Sequence, residues 1–149
     1  MDGIPKINHG QEVGNREPQN GWWEPAIKWD ANPDAARYRT TYKTLAAIRA
    51  SHPAMCRGDL KPLPSSDESV AAFARTLSGE PPIIVVINFS PAPATPKLDL
   101  SAALAGGPGT PTLTDLLDHD SFAVRDTRAF SLNLAPFKFR ILDTSPTGR

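Results

Sequence analysis

Five acidic side chains, Glu12, Glu17, Glu24, Asp30 and Asp34, precede or open the one long helical pattern of this chain, interleaved with Trp22, Trp23 and Trp29. Two carboxyl groups fixed near one another can serve as general acid and general base, provided that one has its pKa raised. Composition alone supplies such acids in any loop, so the solvated-surface reading is the default for them. Glu12 is a catalytic candidate among them. Its competing reading, which is preferred, is a structural acid that accepts hydrogen bonds from the backbone amides of a loop punctuated by Gly10 and Gly14. The flat faces of Trp22 and Trp23 suit stacking on a sugar ring and make them the substrate-binding candidates. Covering the apolar end of an element is the alternative for both, and the stronger expectation for Trp29. His9, His52 and His119 are far apart, and Cys56 has no second cysteine, so neither a metal ligand set nor a disulfide is expected, and no cofactor is implied. Asp118-His119-Asp120 reads as a turn, and no Gly-x-Ser-x-Gly elbow supports a nucleophilic serine.

The element that must position these residues runs from Asn32 to Pro53. Asn32 is suited to cap a helix, Pro33 to occupy its first position, and Asp34 to face the positive end of its dipole. Tyr38, Tyr42, Leu45 and Ile48 recur at helical spacing as an apolar stripe, and Pro53 forces His52 out of the helical region. Ahead of this helix, Ile4 to Asn8 reads as a short strand. Such a strand needs neighbours to satisfy its backbone groups.

After the helix the pattern changes to period two. Cys56–Leu63 reads as a weak strand and Val70–Leu77 as a better one, whereas Ile83–Phe89 is continuously apolar and belongs at the centre of a sheet, covered on both faces. Lys97–Leu100 follows, and Leu113–Leu117 reads as a strand or a turn of helix. Phe130, Leu132 and Leu134, then Phe137, Phe139 and Ile141, alternate on either side of Pro136. With 16 prolines, many between these runs, the chain is expected to be mainly β: an antiparallel Greek-key sandwich over about residues 54–143. The 16 basic and 16 acidic residues balance without a block of either sign, so neither nucleic acid nor an anionic membrane is expected as partner. No run is long and apolar enough for a signal peptide or a membrane span.

The order of these features resembles the C-terminal end of the alpha-amylase family of glycoside hydrolases. The last barrel strand and loop of that family read Gly-x-Pro-x-Ile-Tyr-x-Gly-x-Glu-x-Gly, and Gly3, Pro5, Ile7, Gly10, Glu12 and Gly14 stand at those positions. Trp29 matches the tryptophan ahead of the eighth helix. Tyr42, Leu45, Ile48, Arg49, His52, Pro53, Ala54 and Met55 match the helix and the His-Pro-Ala-Leu that follows it. Val70–Arg75, Ile83–Ser90 and Leu116-Leu117-Asp118 match strands of the all-β domain C. Asn8 and His9 depart from the pattern, standing where the family has an aromatic residue and its neighbour.

The resemblance implies residues 1–53 as a remnant of the last βα unit of a (β/α)8 barrel and residues 54–149 as domain C. It also implies an alpha-1,4-glucan as partner. The family's nucleophilic Asp, acid/base Glu and stabilising Asp lie on barrel strands four, five and seven, and no position here matches them. The expectation is therefore a truncated hydrolase module, inactive alone. The alternatives are a small stand-alone alpha-glucan hydrolase using acids of the N-terminal loop, and a non-catalytic interaction or glucan-binding module. With so little of a barrel to cover its stripe, the helix 33–51 is also expected to drive homo-oligomerisation.

Overall fold

The run Ile-Ile-Val-Val-Ile-Asn at Ile83–Asn88 lies, as its composition demands, in the interior of a six-stranded antiparallel sheet. A computed structural model of the protein describes residues 6–15, 26–104 and 111–145. Its strands are β1 (Asp59–Leu63), β2 (Val70–Thr76), β3 (Ile83–Asn88), β4 (Lys97–Leu98), β5 (Thr112–Asp115), β6 (Ser121–Ala123), β7 (Phe130–Ser131) and β8 (Phe139–Asp143). The large sheet has the order β1-β2-β3-β8-β5-β6, and β4 pairs with β7 in a second, two-stranded sheet. Between β3 and β8 the chain crosses to the second sheet at β4, returns for β5 and β6, and crosses again at β7, so that β8 comes back between β3 and β5. This sandwich belongs to one of two units, His52–Arg149; the other is Met1–Ser51.

Register explains why β3 is apolar throughout. Ala74, Ile84 and Leu142 are aligned across β2, β3 and β8, and all three are fully buried between the sheets. The opposite face carries Phe73, Val85 and Ile141 in the next aligned row, of which Val85 and Ile141 are also buried. The second layer supplies Leu98, Leu100, Phe130, Leu132 and Leu134 to the same core. Removing each such side chain from water contributes about 1.5–3 kcal/mol. The edges are blunted: β1 carries Lys61 and Pro62, and β6 is only three residues long.

The turns of the sandwich repeat one device. Asp67 Oδ1 accepts from Ser69 N (2.9 Å) and Ser69 Oγ (2.7 Å). The same oxygen of Asp99 accepts from Ser101, and that of Asp143 from Ser145. An Asp bonding the backbone two residues on fixes a turn without help from the rest of the fold.

Four local expectations need correction. Cys56 is not in a strand: Pro53–Arg57 forms a short helix, α2, after α1 (Ala35–Ser51), because Pro53 stands at a first helical position with His52 extended before it. Gly58 then closes α2, its N–H donating to Ala54 O, and the strand begins only at Asp59. Of Ile4 to Asn8, Lys6–Asn8 are described and irregular, and Asn8 N–H donates to Gln11 Oε1 rather than to a ladder. The helix expected from Pro33 starts at Ala35, since residues 33 and 34 form a turn in which Ala35 N–H donates to Asn32 O. Phe137 does not alternate with Phe139 and Ile141 in a strand but sits in the turn before β8.

Candidate functional site

The described acids of the N-terminal unit are arranged around a glycine loop. Gly10 (φ 80°) and Gly14 (φ 63°) flank a single 3-10 turn, Gln11–Val13, both in the left-handed region where glycine carries no Cβ penalty. Asn32 ties this loop to the start of α1. Its Nδ2 donates to Val13 O (3.1 Å) and Gly14 O (3.2 Å), while its Oδ1 accepts from Asp34 N (3.0 Å). With α1 starting at Ala35, Asn32 is not its cap; its side chain holds the turn before the helix and fastens a segment almost twenty residues earlier. Gly14 is packed so closely against Asn32 and Tyr38 that a Cβ there would collide with both.

A depression of about 430 Å³ opens here, lined by Gly14, Asn15, Lys28, Ala31, Asn32, Pro33 and Asp34. Asp34 is the only carboxylate in this lining, and it is paired with Arg37 at 3.5 Å. Glu12 lies on the 3-10 turn, half-buried, and does not line the depression; Asp30 is exposed. Among the described residues no two carboxylates share this cavity. Glu17, Glu24, Trp22 and Trp23 lie outside the described residues. Trp29, expected to be covered, is 51% exposed and contributes only its carbonyl, which accepts from Arg39 at 3.4 Å. Along α1 the apolar stripe is graded: Tyr38 is exposed, Tyr42 and Leu45 half-buried, Ile48 buried.

The strongest electrostatic constellation is in the sandwich, and nothing in the sequence pattern announces it. Arg140 shares the row of Ala72 and Val86, so its stem faces the core, and its Nη1 donates to Asp115 Oδ2 (2.6 Å), Asp120 Oδ2 (2.8 Å) and Asp118 Oδ2 (3.2 Å). Asp115 is fully buried and also accepts from Leu117 N (2.9 Å). The hydrogen bond that Arg140 donates to Asp115, with help from the one to Asp120, holds Arg140 more firmly protonated than usual, against the opposing effect of its burial. The guanidinium also lies over the Phe122 ring, 5.6 Å from its centroid. One guanidinium serves three carboxylates, the buried Asp115 and the solvent-exposed Asp118 and Asp120, so the cluster fastens the Asp115–Asp120 turn to β8. The pairing of β5 with β8 sets Asp115 opposite Leu142, two residues from Arg140, and that placement could have been found had the pairing been known. No group of His, Cys, Asp and Glu among the described residues could hold a metal ion, and none of their helices is long and apolar enough to cross a membrane.

No protein-family model matches the chain, and no curated protein does. Solved structures match it in fold. A cyclomaltodextrinase superimposes over 92% of this chain and 22% of its own, with TM-score 0.73 and 22% identity. The maltogenic alpha-amylase AmyB from Thermotoga neapolitana does so over 92% of this chain and 32% of its own (TM-score 0.71, 18% identity). AmyP, solved in complex with maltose, covers 80% of this chain with 22% of its own (TM-score 0.64, 21% identity). The fold is that of a portion of alpha-amylase-family structures, and it fits the C-terminal portion to which the sequence motifs point. The chain spans less than a third of the length of each of these three.

Proposed function

We propose that this chain works as the C-terminal module of a glycoside hydrolase of the alpha-amylase kind acting on alpha-1,4-glucans, and that it does not itself supply the catalytic carboxylates. Residues 1–53 take the part of the last βα unit and residues 54–149 that of domain C. The observation that carries the reading is agreement between two orders: that of the motifs from Gly3 to Asp118, and that of the fold elements, which superimpose on such enzymes over nearly the whole chain. The site chemistry supports it. Glycoside hydrolysis needs two carboxyl groups, about 5–5.5 Å apart for retention or about 6.5–9.5 Å for inversion. The depression beside α1 offers one, Asp34, already engaged by Arg37. An alpha-glucan as partner accords with AmyP, whose structure holds maltose.

The test is direct. The purified 149-residue chain, incubated with soluble starch, releases no reducing sugar above a no-enzyme control. Turnover that persists through purification and disappears in Glu12→Gln or Asp34→Asn would replace this reading with that of a stand-alone hydrolase using acids of the N-terminal unit.

A further inference from the structure

The large sheet is held in one piece by its last described strand. β8 stands between β3 and β5, and in that sheet β5 pairs with β6 and β8 alone, so β8 joins β1-β2-β3 to the β5-β6 hairpin. Ile141 and Leu142 of β8 lie opposite Val85 and Ile84 of β3, and Leu142 lies opposite Asp115 of β5. Both apolar side chains are buried, and Arg140 of the same strand reaches Asp115, Asp118 and Asp120. With β8 withdrawn, β3 and β5 would face each other across a slot, each with an unpaired edge, and such an edge is a template for a strand of another chain. The strand that matches the slot in register, apolar side chains and charge is β8 itself, whichever copy supplies it.

The turn that leads into β8 is opposed by one of its own residues. Lys138 N–H donates to Ala135 O at 3.2 Å, closing a four-residue turn with Pro136 second and Phe137 third. Phe137 has φ 54°, the left-handed conformation that a turn led by proline gives to glycine or asparagine. A bulky side chain there is disfavoured by its own Cβ. The near side of the turn is fixed to the body: Leu134 bridges Ala94, and the buried Asn88 donates from Nδ2 to Ala135 O (3.1 Å). The far side is fixed to the ladder, where Asn88 N–H donates to Lys138 O (2.9 Å). The reversal is therefore confined to Pro136 and Phe137. Moving Phe137 into the extended region relieves its strain and gives up two hydrogen bonds, Lys138 N–H to Ala135 O and Phe137 N–H to Ser90 O. The ladder, the buried side chains and the Arg140 bonds of β8 are the same in either copy.

We propose that β8 is an exchangeable strand, and that two copies of this chain pair by each inserting its β8 between β3 and β5 of the other. A short connection under strain invites such an exchange, because the closed form alone carries the strain while the strand's own contacts are kept. The product is a two-fold dimer in which each copy supplies the strand that completes the other's sheet. The inference goes beyond the glucan-hydrolase reading and does not depend on it, since the slot lies inside the sheet and not on a surface that another domain could cover. It also differs from association through helix 33–51, because the hinge at Phe137 governs it.

Refolding of the full 149-residue chain from urea, followed by size-exclusion chromatography with light scattering, tests this. A reductant is kept present, so that the exposed Cys56 cannot link two copies. Refolding at low concentration gives monomer, and refolding at high concentration gives a dimer as well. That dimer persists on dilution in the cold, because a strand at the centre of a sheet leaves only when the fold opens. Phe137→Asn, which suits the left-handed region, lowers the dimer yield about tenfold or more. Phe137→Val, which keeps an apolar side chain but crowds that region further, raises it. Absence of a dimer at every refolding concentration overturns the proposal. So does a dimer that dissociates as soon as it is diluted, since that is contact between surfaces. A yield lowered by both substitutions would show that the exposed ring joins the copies, and a yield changed by neither would place the association away from the hinge; either result overturns the exchange.

Discussion

The two units are held by different kinds of contact. In His52–Arg149 the structure is made by non-local pairing: β3 lies between β2 and β8, and its inner side chains meet a second layer from β4, β7 and the bridge Ala94–Leu134. In Met1–Ser51 the described residues are held by turns and by the Asn32 clamp, with Val13, Ala35 and Ile48 as their buried apolar side chains. The first kind of structure spreads its stability over many interchangeable apolar atoms. The second concentrates it in a few residues whose chemistry cannot be exchanged. The contrast can be broken or sharpened by substitutions that should act on one unit alone.

The largest effect is expected from Ile84→Ala. Ile84 is fully buried and aligned with Ala74 on one side and Leu142 on the other. With alanine already at 74, no neighbour in that row can expand into the space. The loss should be about 2–5 kcal/mol, the range for truncating an isoleucine in a core that collapses incompletely. Urea unfolding followed by sheet-sensitive circular dichroism measures it as a lower midpoint at unchanged slope. A midpoint within error of wild type would mean that β3 is not the strand on which the sandwich depends.

This difference between units also governs how much is legible in the sequence. Ile83–Asn88 declares itself, because burial on both faces demands an unbroken apolar run, and Val70–Thr76 does so through alternation. The helix end at Ser51 is equally plain, since Pro53 acts through local sterics. What cannot be read depends on partners distant in sequence. Ser121–Ala123 is a strand only because Thr112–Asp115 lies beside it, and a three-residue run carries no period. Asp115 looks like an ordinary acid until the pairing of β5 with β8, which sets Leu142 opposite it, brings Arg140 two residues along within reach. Phe137 misleads because it continues the alternation of Phe139 and Ile141, while Pro136 and the bond from Lys138 to Ala135 turn the chain there. At the candidate site, Gly10 and Gly14 are marked for positive φ by their type alone, and the structure agrees. That Asn32 reaches back to Gly14 has no signal in the sequence, where an asparagine before a proline-led helix reads as a cap rather than a clamp.

A smaller effect, confined to the other unit, is expected from Gly14→Ala. At φ 63° an alanine is strained, and its Cβ would strike Asn32 and Tyr38. Asn32 would have to withdraw, giving up its bonds to Val13 O and Gly14 O together. Strain and lost hydrogen bonds together come to about 1–3 kcal/mol. Hydrogen exchange should show faster opening of the first turn of α1, around Ala35–Tyr38, with protection in β2, β3 and β8 unchanged. Equal loss of protection in helix and sheet would erase the proposed independence of the two stabilising schemes.

The smallest effect is a dependence on acid that belongs to the turns of the sandwich. Asp67 and Asp99 both have pKa values lowered from the ordinary carboxylate range, chiefly by the hydroxyls of Ser69 and Ser101 and then by the backbone N–H of the same serines. A carboxyl whose folded pKa is depressed stabilises the native state fully above its unfolded pKa of about 3.9. That contribution declines as pH falls below this value and is gone once pH has passed through the folded pKa. Asp67 and Asp99 are half-buried in surface turns and each carboxylate is bonded to a single serine, so the change is small, yet its sign is fixed. The urea midpoint of the sandwich should be level from pH 7 to about pH 5 and then fall towards pH 2.5. In Ser69→Ala/Ser101→Ala the folded pKa values move back towards the usual range, so the acid limb should be shallower even though the midpoint at pH 7 is lower. An acid limb that runs parallel in the double variant and the wild type would show that these two turns do not sense the proton, and would leave the sandwich as insensitive to single polar contacts as its core suggests.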